Sequence, residues 1–391
     1  MKAAISTGRP AHAAVPANLL RLRGLDVTLY TAAYRSRFRA LDAEIHLRWL
    51  PQFVPMLHFA TGVQLPRALQ RADTALYDNL VALRMKPFDI FWGSATGSLA
   101  SGRAARRLGA HFVLDRACPH VDVQQNLVQT ECDRLGVAYE PEPTWFRDRQ
   151  LAEYAEADSI VVPSHYTAAS FAPEMQSKLV VAPLFGRVSG QADARALRAA
   201  RPEISPAHPF IFGMVGRSPV RKGFLYLLQA WEQLRLPHAR LLLRADVAEL
   251  EKFPAIRERL RRLPNVEIVG YVKNMQEFYR RCDAFVFPTV DDGFGMALLE
   301  AMAHGLPTIT TTHCGAAELF RAGEDLLVIP PQDAEALATV MEAIYCSAEL
   351  RERLQSHAQK ALAGIESAGT YAHYTQALDA VLERVPDRRT L

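Results

Sequence analysis

Short apolar runs alternate with amphipathic stretches from one end of the chain to the other. In the first half, strands are expected at residues 2–7, 26–31, 45–50, 88–93, 111–115, 159–163 and 179–184. Segments such as 101–108 and 148–157 carry apolar residues at helical spacing between them. A strand–helix rhythm of this kind predicts a mostly parallel sheet with helices on both faces. The rhythm breaks from Arg187 to Pro209, a stretch rich in Ala, Gly, Ser and Pro with no strong apolar run, which reads as a linker with a short helix. It then restarts, with strands expected at 209–215, 240–244, 266–272, 284–288, 308–311 and 326–329. The expectation is an α/β protein of two doubly wound, Rossmann-like domains facing each other across a cleft. Ligands in such folds bind beyond the carboxyl ends of the strands.

The most informative stretch runs from Phe287 to Pro307. An apolar run, Ala284-Phe-Val-Phe287, ends at Pro288, a Gly-Phe-Gly turn follows at Gly293 to Gly295, and an apolar helix spans 296–304, stopped by Gly305 and Pro307. That helix carries one carboxylate, Glu300, and Asp292 stands just before the turn. A buried carboxylate is costly unless something pairs with it, and hydroxyls of a bound sugar or ribose would serve. The glycines allow close approach to the backbone, and the helix N-terminus offers amides to an anion.

A second stretch, Phe210-Ile-Phe-Gly-Met-Val-Gly-Arg-Ser-Pro-Val-Arg-Lys-Gly-Phe224, is a strand, a glycine, Arg217, a short loop, and Lys222-Gly223 opening a helix over 224–233. Two cations bracketing a strand-to-helix loop suit a diphosphate. The plainer reading is exposed loop charge, and the order of a Walker loop is absent. A third stretch, Thr312-His-Cys-Gly-Ala-Ala-Glu-Leu319, places Glu318 after another strand and glycine. By itself it reads as an acid in a first helical turn, favoured by the helix dipole. All three follow strands of one domain and so converge on one edge of one sheet.

At these residues the chain resembles the retaining glycosyltransferases of family 4, which have the two-Rossmann-domain (GT-B) architecture. The family signature is an acid, seven residues and a glutamate, with Gly-Phe-Gly after the first acid; here it reads Asp292-Gly-Phe-Gly-Met-Ala-Leu-Leu-Glu300. Gly216-Arg217 with Lys222-Gly223 looks like the donor-diphosphate loop, and Gly270-Tyr271-Val272 followed by Tyr279-Arg-Arg-Cys-Asp283 keeps the family spacing. The resemblance is strong over residues 205–330; the first half matches mainly in rhythm.

The resemblance implies transfer of a sugar from a UDP- or GDP-sugar to a glycan, lipid-linked glycan or small-molecule acceptor. It implies catalytic roles for Arg217, Lys222, Asp292 and His120, with the cations neutralising the leaving diphosphate. It implies donor contacts from Gly216, Gly293, Phe294, Gly295, Met296, Glu300 and Tyr271. Fixed cations make a metal or other cofactor unnecessary, and no metal site is expected. For His120 a structural loop role competes, and His12, Gln124 and Gln125 are weaker cleft candidates. The domains implied are 1–187, a linker at 188–208, and 209–365, with a C-terminal helix at about 366–391 returning to the first domain.

Three positions depart from the family: Asp292 replaces its usual glutamate, Cys314 replaces a common glycine, and Ser6-Thr-Gly-Arg-Pro-Ala-His12 is poor in glycine. The first departure keeps a second reading open, a non-catalytic nucleotide-sugar-binding or scaffold protein. A phosphorylase or epimerase on the same architecture lacks its own signals here.

Composition narrows the picture further. The 391 residues are 49% hydrophobic and 22% charged, ordinary for a globular protein. A net charge of +3 argues against a dedicated nucleic-acid partner. Tyr34-Arg-Ser-Arg-Phe-Arg39 is suited to touching an anionic membrane, although a solvated face is the preferred reading. The N-terminus shows no long apolar signal core, and the five scattered cysteines form no Cys-x-x-Cys pair. A cytoplasmic location is the expectation, with membrane association on that face as a variant.

Overall fold

The computed structural model describes residues 1–7, 13–33, 41–50, 66–139, 144–184, 203–272, 274–367 and 371–386. Two parallel sheets form the framework. The first contains β1 (Lys2–Thr7), β2 (Asp26–Thr31), β3 (His46–Trp49), β4 (Ile90–Ser94), β5 (His111–Asp115), β6 (Ser159–Val162) and β7 (Leu179–Val181), in the order β3-β2-β1-β4-β5-β6-β7. The second contains β8 (Phe210–Val215), β9 (Ala239–Arg244), β10 (Val266–Val269), β11 (Ala284–Phe287), β12 (Thr308–Thr311) and β13 (Leu327–Ile329), in the order β10-β9-β8-β11-β12-β13. All strands pair in parallel, as the near-continuous apolar runs require.

Each sheet reverses its winding once, between β1 and β4 and between β8 and β11. Diverging loops at such a reversal leave a crevice at the carboxyl ends of the strands. The loops carrying Lys222 and Asp292 follow β8 and β11, so both lie at the reversal of the second sheet.

The expected strand at 266–272 ends at Val269, because Gly270 follows and β10 is an edge strand. The helix expected at 148–157 begins earlier and spans Thr144–Glu156.

Helices cover both faces of both sheets. The Phe224–Gln233 helix buries seven residues, including Phe224, Leu227, Leu228 and Trp231, against β8 and β9. The Met296–Ala303 helix buries Leu298, Leu299, Ala301, Met302 and Ala303 while Glu300 stays half-exposed. The Val121–Leu135 helix follows β5 of the first sheet, yet Cys132 and Leu135 at its end belong to the apolar cluster of the second domain. Buried Glu131 on the same helix accepts from the Tyr226 hydroxyl and Gln332 Nε2, both at 2.6 Å.

The chain returns to the first domain at its end. The Ala348–Ser367 helix packs Ala358 and Leu362 into the second domain, under Leu298 and Met302. The Ala372–Leu382 helix places Tyr374, Ala377, Leu378 and Val381 in one cluster with Ala17, Leu20 and Trp92. The Trp92 and Tyr374 rings stack at 6.3 Å, and Arg23 pairs with Asp379 at 2.5 Å.

Candidate functional site

Beyond β8 the chain turns at Gly216, where a methyl group would sit 2.8 Å from the Phe224 ring and 3.0 Å from Lys222 Cβ. Arg217 is exposed and makes no ion pair or hydrogen bond among the described residues. Gly223 caps the Phe224–Gln233 helix at φ +70°, and a Cβ there would lie 1.9 Å from the Pro288 carbonyl oxygen. Only glycine lets the loops after β8 and β11 come this close.

Backbone bonds then fasten the two loops together. The Arg221 carbonyl accepts from Val290 N at 2.8 Å, Asp291 N at 3.2 Å and the Thr289 hydroxyl at 2.9 Å. This places the Lys222 ammonium directly on the Asp292 carboxylate. The two side chains are 17% and 19% exposed, so the pair is largely desolvated but open on one side. The ammonium also lies 5.1 Å from the Phe287 ring centre, a favourable cation–π position. The other Asp292 oxygen accepts from the Phe294 amide at 3.2 Å.

The loop after β12 joins them. Asp292 N donates to His313 O at 3.0 Å, and Gly315 N donates to Asp292 O at 3.1 Å. Gly295 sits at φ +94° with the Cys314 sulfur 2.5 Å from where its Cβ would be. Cys314 is thus fully packed under the turn, and burial pushes its thiol up to about 12. The Gly295 and Met296 amides lie at the start of the Met296–Ala303 helix, where first-turn amides have no intrahelical acceptor.

Glu300 has a protein partner other than the cations. Its carboxylate accepts from the Tyr279 hydroxyl at 2.8 Å, and its carbonyl meets His304 Nδ1 at 2.7 Å. Burial and then the Glu300 charge hold the Tyr279 phenol well above its usual range, so it stays a donor. Lys222 goes to Asp292 instead, so the Glu300 carboxylate is oriented by a phenol and not by a cation. Tyr271, just past β10, is 85% exposed, and the Arg244 guanidinium lies 5.7 Å from its ring centre. Arg244 Nε is buried without a hydrogen-bond partner among the described residues.

On the facing domain, Arg116 holds the loop after β5 by donating to Cys118 O at 3.0 Å and Pro119 O at 2.6 Å. His120 caps the Val121–Leu135 helix, its Nδ1 accepting from Asp122 N at 3.3 Å. Its ring packs against Tyr154 and Phe171, each 5.1 Å away, and burial lowers its pKa. One ring nitrogen therefore has a structural task, and Nε2 is left without a partner among the described residues. Gln124 reaches the second domain at Asp291, while Gln125 Nε2 is buried without a partner among the described residues. His12 and the 34–39 segment lie outside the described residues.

The loop after β4 is held from below. Glu153 accepts from the amides of Thr96 at 2.5 Å and Ser98 at 2.9 Å, and Asp78 accepts from Ala100 and Ser101 at 2.6 and 2.9 Å. Arg149 pairs with Asp78, lies 3.6 Å from Glu153 and donates to Thr96 O at 2.6 Å. Thr96 is in the left-handed region at φ +77°. Strain of this kind persists only where surrounding groups over-determine it.

Five participants escaped the sequence reading in these roles: Arg221, Asp291, Tyr166, Tyr279 and Glu318. Glu318 does not serve its own helix start. It accepts from the amides of His165 and Tyr166 on the facing domain, at 2.7 and 2.6 Å. Asp291 had a visible signal, an acid beside Asp292, but its partners come from distant parts of the chain. Among the described residues no group of three or more His, Cys, Asp or Glu side chains is placed to hold a metal.

Residues 209–347 match the family described as Glycosyl transferases group 1. The capsular polysaccharide biosynthesis glycosyltransferase CapM of Staphylococcus aureus is 31% identical over 157 residues, 39% of this chain and 40% of CapM. The mannosylfructose-phosphate synthase of Agrobacterium fabrum is 33% identical over 139 residues, 32% of this chain and 31% of that protein. These matches therefore span less than half the length of either relative. Whole-chain likeness appears among solved structures. Sucrose-phosphate synthase from Thermosynechococcus elongatus superposes with a TM-score of 0.69 at 19% identity, covering 98% of this chain and 99% of that one. Anabaena HepE, solved with UDP and glucose, gives 0.66 at 15% identity over 98% and 100%. The chain thus has a GT-B fold, and residues 209–347 of its second domain are similar to the group 1 glycosyl transferases.

Proposed function

We propose that this protein is a retaining glycosyltransferase of family 4 that moves a sugar from a UDP- or GDP-sugar to an acceptor without a divalent metal. The observation that carries the reading is the Lys222–Asp292 contact at the winding reversal of the second sheet, with Arg217 unpaired at the same loop. In glycosyl transfer the anomeric carbon gains oxocarbenium character while negative charge gathers on the departing diphosphate. Arg217, Lys222 and the first-turn amides of two helices supply fixed positive charge there, worth several kcal/mol of barrier in a desolvated crevice. Diphosphate binding would draw Lys222 from Asp292 and leave that carboxylate free to take a sugar hydroxyl. Glu300, oriented by Tyr279, suits the ribose hydroxyls, and exposed Tyr271 suits the flank of the base. His120 Nε2 is the contact assigned to the first domain.

Relatives support the class of donor: HepE was solved with UDP-glucose, and neighbouring trehalose-phosphate synthases are described as UDP-forming. No helix among the described residues is long and apolar enough to cross a membrane, and all five cysteines are free. The reaction is assigned to the cytoplasm, with membrane contact reserved for the first domain.

The test is a thermal-shift panel of UDP, GDP and their sugars. A ligand at about 100 times its Kd adds roughly 2.7 kcal/mol to the native state. The expected result is stabilisation by one nucleotide and its sugars, with donor consumption unchanged in EDTA. A flat panel would favour the non-catalytic scaffold reading, and strict dependence on added Mg or Mn would overturn the metal-free mechanism.

A further inference from the structure

The first domain grips the donor loops of the second at several points that the chemistry above leaves unused. Asp291, completely buried, accepts from Arg221 Nε at 2.9 Å within its own domain. It also accepts from Gln124 Nε2 at 2.6 Å and the Tyr166 hydroxyl at 3.1 Å, both on the facing domain. The Tyr166 ring stacks on His313 at 4.9 Å, and the His313 carbonyl holds the Asp292 amide. One residue further along, the Gly293 carbonyl accepts from the hydroxyls of Ser164 at 2.7 Å and Thr167 at 3.2 Å. A Cβ on Gly293 would lie 2.3 Å from Ala117 O, so the facing domain abuts the turn itself.

The distribution of charge is informative. The ion pair, Asp291 with Arg221, lies wholly within the second domain, while the bonds that cross to Asp291 come from neutral donors. Parting the domains would leave the ion pair intact and hand the crossing positions to water. That makes the contact reversible, whereas a crossing ion pair would leave a buried charge unpaired.

We propose that Asp291 and Tyr166 are positioning residues, through which the first domain sets the Asp292 carboxylate and the Gly293–Gly295 turn. The donor loop then reaches its reactive geometry only with the domains together. The inference rests on the transferase reading given above.

The full-length protein is compared with its Tyr166→Phe, Asp291→Asn and double variants. Three measurements are made: UDP and GDP binding by calorimetry, radius of gyration by solution scattering with and without nucleotide, and donor turnover with kcat and KM separated. Tyr166→Phe keeps the stack on His313 and loses one hydrogen bond. It is expected to lower kcat about tenfold, with nucleotide Kd and donor KM changed less than about threefold, and to raise the radius of gyration. The double variant is expected to be no slower than the slower single one, because both act through one contact. If Asp291→Asn proves poorly folded, shown by a lowered Tm, Tyr166→Phe carries the test. Wild-type kcat and radius of gyration in Tyr166→Phe would overturn the proposal while leaving nucleotide binding, and the transferase reading, in place. A wild-type protein that binds neither nucleotide would overturn the transferase reading, and the scattering comparison would still decide the closing contact.

Discussion

The two edges of the crevice share an architecture and hold their loops by opposite means. On the second domain, the loops after β8, β11 and β12 are stitched backbone to backbone through Arg221 O, His313 O and the Gly315 amide. Their side chains, Lys222, Asp292 and Arg217, are left partly open to the crevice. On the first domain, the loop after β4 hangs from buried carboxylates: Glu153 and Asp78 spend their oxygens on backbone amides, and Arg149 ties them together. One edge ties its loops mainly through the backbone and leaves charged side chains partly open; the other spends buried charges on holding its loop backbone. The matched family segment, 209–347, covers only the first kind of edge. On the function proposed above, a diphosphate asks for the same charges wherever it binds, whereas an acceptor surface answers to whatever it must recognise.

The sharpest way to break this contrast is to remove charge from the second domain's edge. Lys222→Ala, and equally Arg217→Ala, is expected to lower turnover by about two to three orders of magnitude while the circular dichroism melt shows an intact fold. Near-wild-type turnover in a purified variant would show that these charges are ornamental.

Steric closeness of the loops after β8 and β11 is tested next. Gly223→Ala sets a methyl group against the Pro288 carbonyl at a left-handed position, and should cost about 3 kcal/mol in a denaturant titration. A loss under about 1 kcal/mol would mean that the loops part easily.

On the other edge the question is protonation. Burial first, opposed by the Ser98 amide bond and Arg149, raises Glu153 from 4.5 to about 7. A group whose folded pKa is raised gives stability that is full below its unfolded pKa and is lost as pH rises through the folded value. Glu153 should therefore make the protein progressively less stable between about pH 5 and pH 7.5, by at most about 3 kcal/mol. Glu153→Gln should flatten that slope in pH-dependent melts. An unchanged slope would place the titrating group elsewhere.

Much of this was legible in the sequence, and the reason is local. Strands such as Phe210–Val215 and Thr308–Thr311 announce themselves because parallel strands buried on both faces are continuous apolar runs. Lys222, Asp292 and Glu300 stand out because each is a charge set against an apolar or glycine-rich background. What stayed hidden is pairing across the chain. Whether Glu300 meets Tyr279 or Lys222 depends on where β11 lies beside β8, and no periodicity records that. Tyr166 and Glu318 sit in short segments with no repeating signal, and their meaning appears only when two domains face each other. His120 shows the same limit from the other side: a histidine near the crevice is visible, but its use as a helix cap is not.

The return of the Ala372–Leu382 helix to the first domain has a consequence for how the protein is made. The apolar face formed by Ala17, Leu20 and Trp92 has its cover, Tyr374 and Leu378, encoded some 280 to 360 residues later. On the ribosome, the second domain can assemble its core as soon as it emerges, but the first must wait with that face bare until residues 372–382 have followed. Of the two domains, the one synthesised first is therefore the one completed last.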